Sequence, residues 1–117
     1  MTVEEDLYAV LSGVCERAYP DIAPVGTAKP YVTYQQIGGQ VIKPLGKVVP
    51  DKQNGEYQVN VWADTRKEAK TLILAIEAGL CLASAFIAKP ISASRSDYDH
   101  DNAVYGSIQD FSIWSER

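Results

Sequence analysis

Two hydrophobic periods meet without a spacer in the stretch GEYQVNVWADTRKEAKTLILAIEAGL, residues 55–80. Up to Ala63 the repeat is two: Tyr57, Val59, Val61 and Ala63 point one way and Gln58, Asn60 and Trp62 the other, which predicts a half-buried strand over 56–63. From Thr65 the repeat is 3.6, and Ala69, Leu72, Ile73, Ile76, Leu80 and Ala83 make one apolar stripe, with Arg66, Lys67, Lys70 and Glu77 largely outside it. Thr65 and Glu68 have the spacing of a capping box, so the helix has a defined start. A strand that ends two residues before a capped helix must lay that helix back across its own sheet, since each element has one apolar face to bury.

The same reading extends to both ends of the chain. Residues 3–18 predict a first amphipathic helix, with Val3, Leu7, Val10, Leu11, Val14 and Ala18 on one face and Thr2 and Glu5 as a second capping box. YPDIAPVGTAKP then places three prolines and a glycine within twelve residues, an irregular connector. YVTYQQI, residues 31–37, is β-branched and aromatic and predicts a strand. In QVIKPLGKVVPDKQNG every short apolar run is interrupted, so 39–54 reads as a long hairpin loop whose final turn is Asn54-Gly55. A short strand at 90–95, a polar SDYDHDN loop and a terminal strand AVYGSIQDFSIW complete the chain. Val104, Gly106 and Ile108 fall on one phase and Phe111 and Ile113 on the other, so a bulge near Gln109-Asp110 is expected to bring both sets to the core. The element order is αββαββ: an α+β domain over 1–117, with a mostly antiparallel four-stranded sheet and both helices on one face.

Composition narrows the function. At 117 residues with 46% hydrophobic and 22% charged residues, the chain is one globular domain with room for a core. No apolar run reaches the roughly 18 residues that a membrane helix needs, and Glu4, Glu5 and Asp6 stand where a signal peptide would be basic. The net charge of −4 and the scattering of eleven basic residues argue against sequence-specific nucleic-acid binding. Cys15 and Cys81, one in each predicted helix, lack metal-ligand spacing and read as buried free thiols.

Candidate chemistry is sparse. His100 lies among Asp97, Asp99 and Asp101, but Asn102 and Ile108 occupy the positions where a calcium loop needs Gly and a bidentate Glu, so a solvated turn is expected. No nucleophile elbow, P-loop or dinucleotide fingerprint is present, and neither catalysis nor a cofactor is expected. Trp62, with Tyr31 or Tyr34 and Trp114, is placed either in ordinary core packing or on a sheet face that meets a partner; Gln58 and Asn60 beside it favour the partner.

The stretches KPYVTYQQIGG, GEYQVNVWADTRKEAKTLILAIEAGL and VYGSIQDFSIW, the last following an acidic segment, resemble in kind and order the tail completion and tail terminator proteins of long-tailed bacteriophages. The resemblance implies a structural virion protein, made in the bacterial cytoplasm and placed at the head-proximal end of the tail. It implies a ring, usually of six copies, whose subunits can remain monomeric until the tail end recruits them; the partners are the tail tube protein and the head-tail connector protein. On this reading Tyr31, Tyr34 and Trp62, together with Val41, Ile42, Lys43, Leu45, Lys47, Val48 and Val49 of the long loop, are the interface residues, and the loop orders on assembly. Two other readings stay open: a small α+β module that binds a ligand or peptide, and a small hydrolase.

Overall fold

The computed structural model describes residues 2–41, 45–46, 51–101 and 103–116. Among these, two helices and six strands follow in the order α1 (Val3–Val14), β1 (Ala18–Pro20), β2 (Tyr31–Gly38), β3 (Lys52–Ala63), α2 (Arg66–Leu82), β4 (Ile87–Pro90), β5 (Arg95–Asp99) and β6 (Val104–Glu116). The sheet runs β1-β2-β3-β6-β4, with β5 also on β6, and is antiparallel except where β1 lies parallel to β2. The chain is thus α+β, but its sheet has six strands in place of four.

Both helices start where their side chains dictate. Thr2 Oγ1 accepts from the Glu5 amide, and the Glu5 carboxylate accepts from the Thr2 amide, a complete capping box. At Thr65 only the forward bond, from the Glu68 amide at 3.1 Å, is seen among the described residues. Ala69, Ile73, Ile76 and Leu80 of α2 are fully buried against the sheet, and Leu72 and Ala83 pack at its margin. Leu7 and Leu11 of α1 enter the same core, while Val10 lies close to Gly79 of α2, where any side chain would press on it. The first helix is shorter than its apolar stripe suggests: it ends at Val14, Cys15 caps it, and buried Ala18 belongs to β1.

The central pair is β3 and β6, antiparallel in one unbroken register from Lys52 opposite Glu116 to Ala63 opposite Tyr105. No bulge interrupts β6. Phe111 and Ile113 face the helices, whereas Gly106 and Ile108 face away, so the two apolar phases serve two faces. Ser107 and Gln109 share the helix side and are buried; Gln109 Nε2 donates to Glu77 on α2 and to the Ser92 carbonyl, both at 2.8 Å. A polar bridge therefore ties helix to sheet where the apolar alternation fails.

Three other boundaries differ from expectation. Asn54-Gly55 is no turn but part of β3, with Asn54 Nδ2 donating to Ser112 and to the Ile113 carbonyl. Pro90 ends β4 instead of starting a strand, and Asp97–Asp99 of the acidic stretch lie in β5. β4 and β5 occupy the same side of β6, separated by 91–94, so this edge of the sheet is broken in the middle. Of the thiols, Cys15 is buried and Cys81 is exposed, and both are free.

These contacts set the energetics of α2. Replacing Ile76 by Ala should lower the unfolding free energy by about 2–5 kcal/mol, whereas Leu74→Ala, at a position 49% exposed, should stay within about 0.5 kcal/mol. Urea denaturation of both variants measures the contrast. A Thr65→Ala variant should lose about 1 kcal/mol in the same assay.

Candidate functional site

The sheet has one face without a helix among the described residues. Alternation within β3 sends Gln58, Asn60 and Trp62 to it, and the pairing of β2 with β3 adds Tyr31 opposite Trp62 and Thr33 opposite Asn60. Asn60 Nδ2 donates to Thr33 Oγ1 at 3.3 Å, which fixes a short polar row across the two strands. From β6, Gly106 stands opposite Trp62, and a Cβ built on it would come within 2.7 Å of the indole. The Trp62 ring therefore lies directly on the Gly106 backbone, a packing that only glycine permits without moving the indole.

The proline-rich connector forms the wall of this face. Residues 21–27, with Lys29, arch over the open rows and leave a groove of about 670 Å³ floored by the β2–β3 rows and Trp62. Both ends of the arch are pinned. At its start the Asp21 amide donates to the Tyr34 carbonyl at 2.8 Å. At its end Arg17 donates through Nε to the Pro30 carbonyl at 2.9 Å and through Nη2 to the Lys29 carbonyl at 3.3 Å. Lys29 pairs with Asp64 at 3.3 Å, and the Asp21 and Asp99 carboxylates line the groove. On the arch Ile22 and Val25 are 81% and 106% exposed.

The predicted interface residues separate. Tyr31 and Trp62 share the open face, as does Trp114 further along β6. Tyr34 does not: it pairs with Val59 on the helix side and is buried in the core, because β2 alternates and only one tyrosine of the pair can face out. Val41 and Leu45 are almost fully exposed. Ile42, Lys43, Lys47, Val48 and Val49 lie outside the described residues. The sequence reading missed Arg17 and Gly106. The glycine inside an otherwise β-forming run was the available signal for a close approach from a neighbouring strand.

Titration follows burial. The Tyr31 phenol is pushed above its ordinary value by desolvation and then by nearby Asp99, with Lys29 opposing; burial likewise raises Tyr34 and Tyr57. Asp97 and Asp99 accept the amides of Tyr98 and Asp101, and His100 stacks edge-on against Tyr98. No three His, Cys, Asp or Glu side chains converge on a metal position among the described residues.

The groove is thus lined by polar rows and by the aromatic side chains of Tyr31 and Trp62. The sequence profile of the tail completion protein gp17 family matches residues 4–116. The chain belongs to that family. Tail completion proteins are structural components of the phage virion and not enzymes, which removes the hydrolase reading. No curated protein sequence matches the chain. Among solved structures, a chain from the virion of a native gene transfer agent particle is 14% identical, covers 98% of this chain and 95% of its own, and superposes with a TM-score of 0.65. A second solved chain, 10% identical, covers 100% of this one and 97% of its own with a TM-score of 0.56. At these identities the likeness is one of fold. No helix among the described residues of this tail completion protein is long and apolar enough to cross a membrane.

Two outcomes check the site. Gly106→Ala should displace the indole, seen as a shift in tryptophan emission, while the far-UV spectrum stays unchanged. The tyrosines give a pH dependence: their folded values lie above the unfolded 10.0, so their contribution is fully present below pH ~10 and is lost as pH rises through the folded values. The urea midpoint should therefore hold up to about pH 10 and fall as the pH rises beyond it, less steeply in Tyr57→Phe.

Proposed function

We propose that this tail completion protein closes the finished tail tube as a ring of copies and presents the surface on which the head connector seats. Family membership over nearly the whole chain is the observation that carries this reading, and a chain of the gene transfer agent virion has a related fold. The architecture suits the task. A sheet with one face sealed by two helices is stiff, and its other face and projecting segments remain free to meet neighbours. The exposed Val41 and Leu45 are aliphatic groups on which folding of the single chain makes no demand. We place residues 39–51 at the contact with a neighbouring copy or the tube, and the protein itself at the head-proximal end of the tail.

The fold defines how this segment can be removed. Asn54 bonds the Gln40 amide and two groups of β6, so residues 52–54 belong to the sheet and must be kept. Replacing 41–50 by a two-residue turn should leave the melting temperature nearly unchanged, because a shorter loop closes at no greater entropic cost. Phage carrying that variant should yield overgrown tubes or tails without heads in electron micrographs. Normal tails of normal length would overturn the assignment of this segment.

A further inference from the structure

The helix layer has two outer flanks, and they match one another. On the α1 flank, helix and sheet leave a shallow groove of about 410 Å³ lined by Glu4, Glu5, Tyr8, Pro20 and Tyr34. Tyr34 is buried and forms the floor, Tyr8 is 44% exposed, and Glu4, Glu5 and Pro20 lie open to solvent. Thr2 engages Glu5 through Oε1 alone, and among the described residues neither Glu4 nor Glu5 has a cationic partner. An aromatic cleft beside two carboxylates suits an apolar group flanked by cations.

The α2 flank offers that combination. The second helix lies over β3, β6 and β4, and Lys70 Nζ donates to Ser94 Oγ at 3.0 Å, which turns this side of α2 toward the β4 and β5 margin. Lys67, Lys70 and Leu74 follow at spacings of three and four, so they share one side of the helix, and all three are exposed. Nearby acids point elsewhere. Glu77 accepts from Gln109, Glu68 lies two residues from Lys70 and so nearly opposite on the helix, and alternation sends Asp97 and Asp99 of β5 to the open face. From Thr71 to Leu82 the exposed positions of α2, among them Leu74, Ala75, Ala78 and Cys81, carry no charge, although a helix face left to water is ordinarily polar.

We infer that the α2 flank of one copy docks on the α1 flank of the next, with Leu74 in the cleft of Tyr8, Pro20 and Tyr34 and the two lysines toward Glu4 and Glu5. This inference rests on the ring reading and names both surfaces of the contact. Charge selects the occupant. Residues 2–30 hold five acids against two bases, and residues 66–95 hold five bases against two acids, so pairing two α1 flanks or two α2 flanks would set like charges together. Because the matching patches are different and lie on opposite flanks, the contact is heterologous, passing from copy to copy and closing when the rotation fits.

The test uses the full-length chain with Cys81→Ser to remove the exposed thiol. Thr71→Cys, one turn from Leu74, is placed in one preparation and Ser12→Cys, one turn from Tyr8, in an isotopically heavy second one, so every proposed contact residue is kept. The mixture is assembled on tails and treated with a short bismaleimide. A bridge from light to heavy chains is expected, at least about tenfold above a control pairing of Thr71→Cys with Lys89→Cys on the open face. Lys67→Glu in the light chain should cut that yield about tenfold, and Glu4→Lys in the heavy chain should restore it. Rings without the bridge, or bridges mainly between two Thr71→Cys sites, would overturn the inference and leave the ring standing. Absence of rings would overturn the proposed function instead. A second arm decides for the contact whatever the tails do. When the free Cys81→Ser protein is concentrated to millimolar, the amide resonances of Glu5, Tyr8 and Asp21 should move together with those of Lys70, Leu74 and Ala78, less at high salt and not in Leu74→Asp. Resonances that stay fixed overturn the inference.

Discussion

Everything else in the molecule is referred to the long antiparallel ladder between β3 and β6. Because its register is unbroken from Lys52 to Ala63, each residue on these strands has an unambiguous side. One side takes Tyr57, Val59, Val61, Phe111 and Ile113 and becomes the bed for α2. The other takes Gln58, Asn60 and Trp62, which floor the groove, and Gly106, on which the indole lies. A slip of one residue would bury the amides beneath α2 and expose the valines, so core and contact surface are specified by the same pairing. The far end of the ladder is held by Asn54 within the sheet and by the Lys52–Glu116 ion pair at its margin.

How far the sequence reveals this depends on whether a residue's role is local. The weld of β3 to α2 is legible because the period changes within three residues and Thr65 caps its own helix. The helix stripe is legible for the same reason, and Ile73, Ile76 and Leu80 sit where their spacing puts them. Asn54-Gly55 misleads because its strongest local signal is a turn, whereas its use is nonlocal. The amide of Asn54 reaches across to β6, and the Tyr57 ring lies where a side chain on Gly55 would have to go. The three residues of β1 carry no period at all and are held by pairing with β2, together with the Arg17 grip on the segment that follows.

The candidate site divides along the same line. Trp62 could be placed on the open face from alternation alone, and so could the polar neighbours that distinguish that face from core. Tyr31 and Tyr34 could not be told apart until the β2–β3 register was known, since both belong to a strand that had no polar phase to mark it. The arch over the groove was legible only as irregular chain. Its height above the sheet comes from anchors separated from it in sequence, at Tyr34 on one side and Arg17 on the other. Burial of Gln109 on the helix face likewise depends on Glu77 arriving from α2 to accept its amide.

The broken outer margin of the sheet carries a meaning for life in a crowded host cell. β1 is three residues long at one border, and at the other β4 and β5 are short pieces parted by 91–94, with Pro90 lacking a donor at the break and Lys89, Arg95, Asp97 and Asp99 spread along it. Among the described residues the strands at both borders are short or interrupted, which limits the run of amides on which a stray strand could template itself. A protein proposed to bring one polymer to its end thus has borders poorly suited to beginning another.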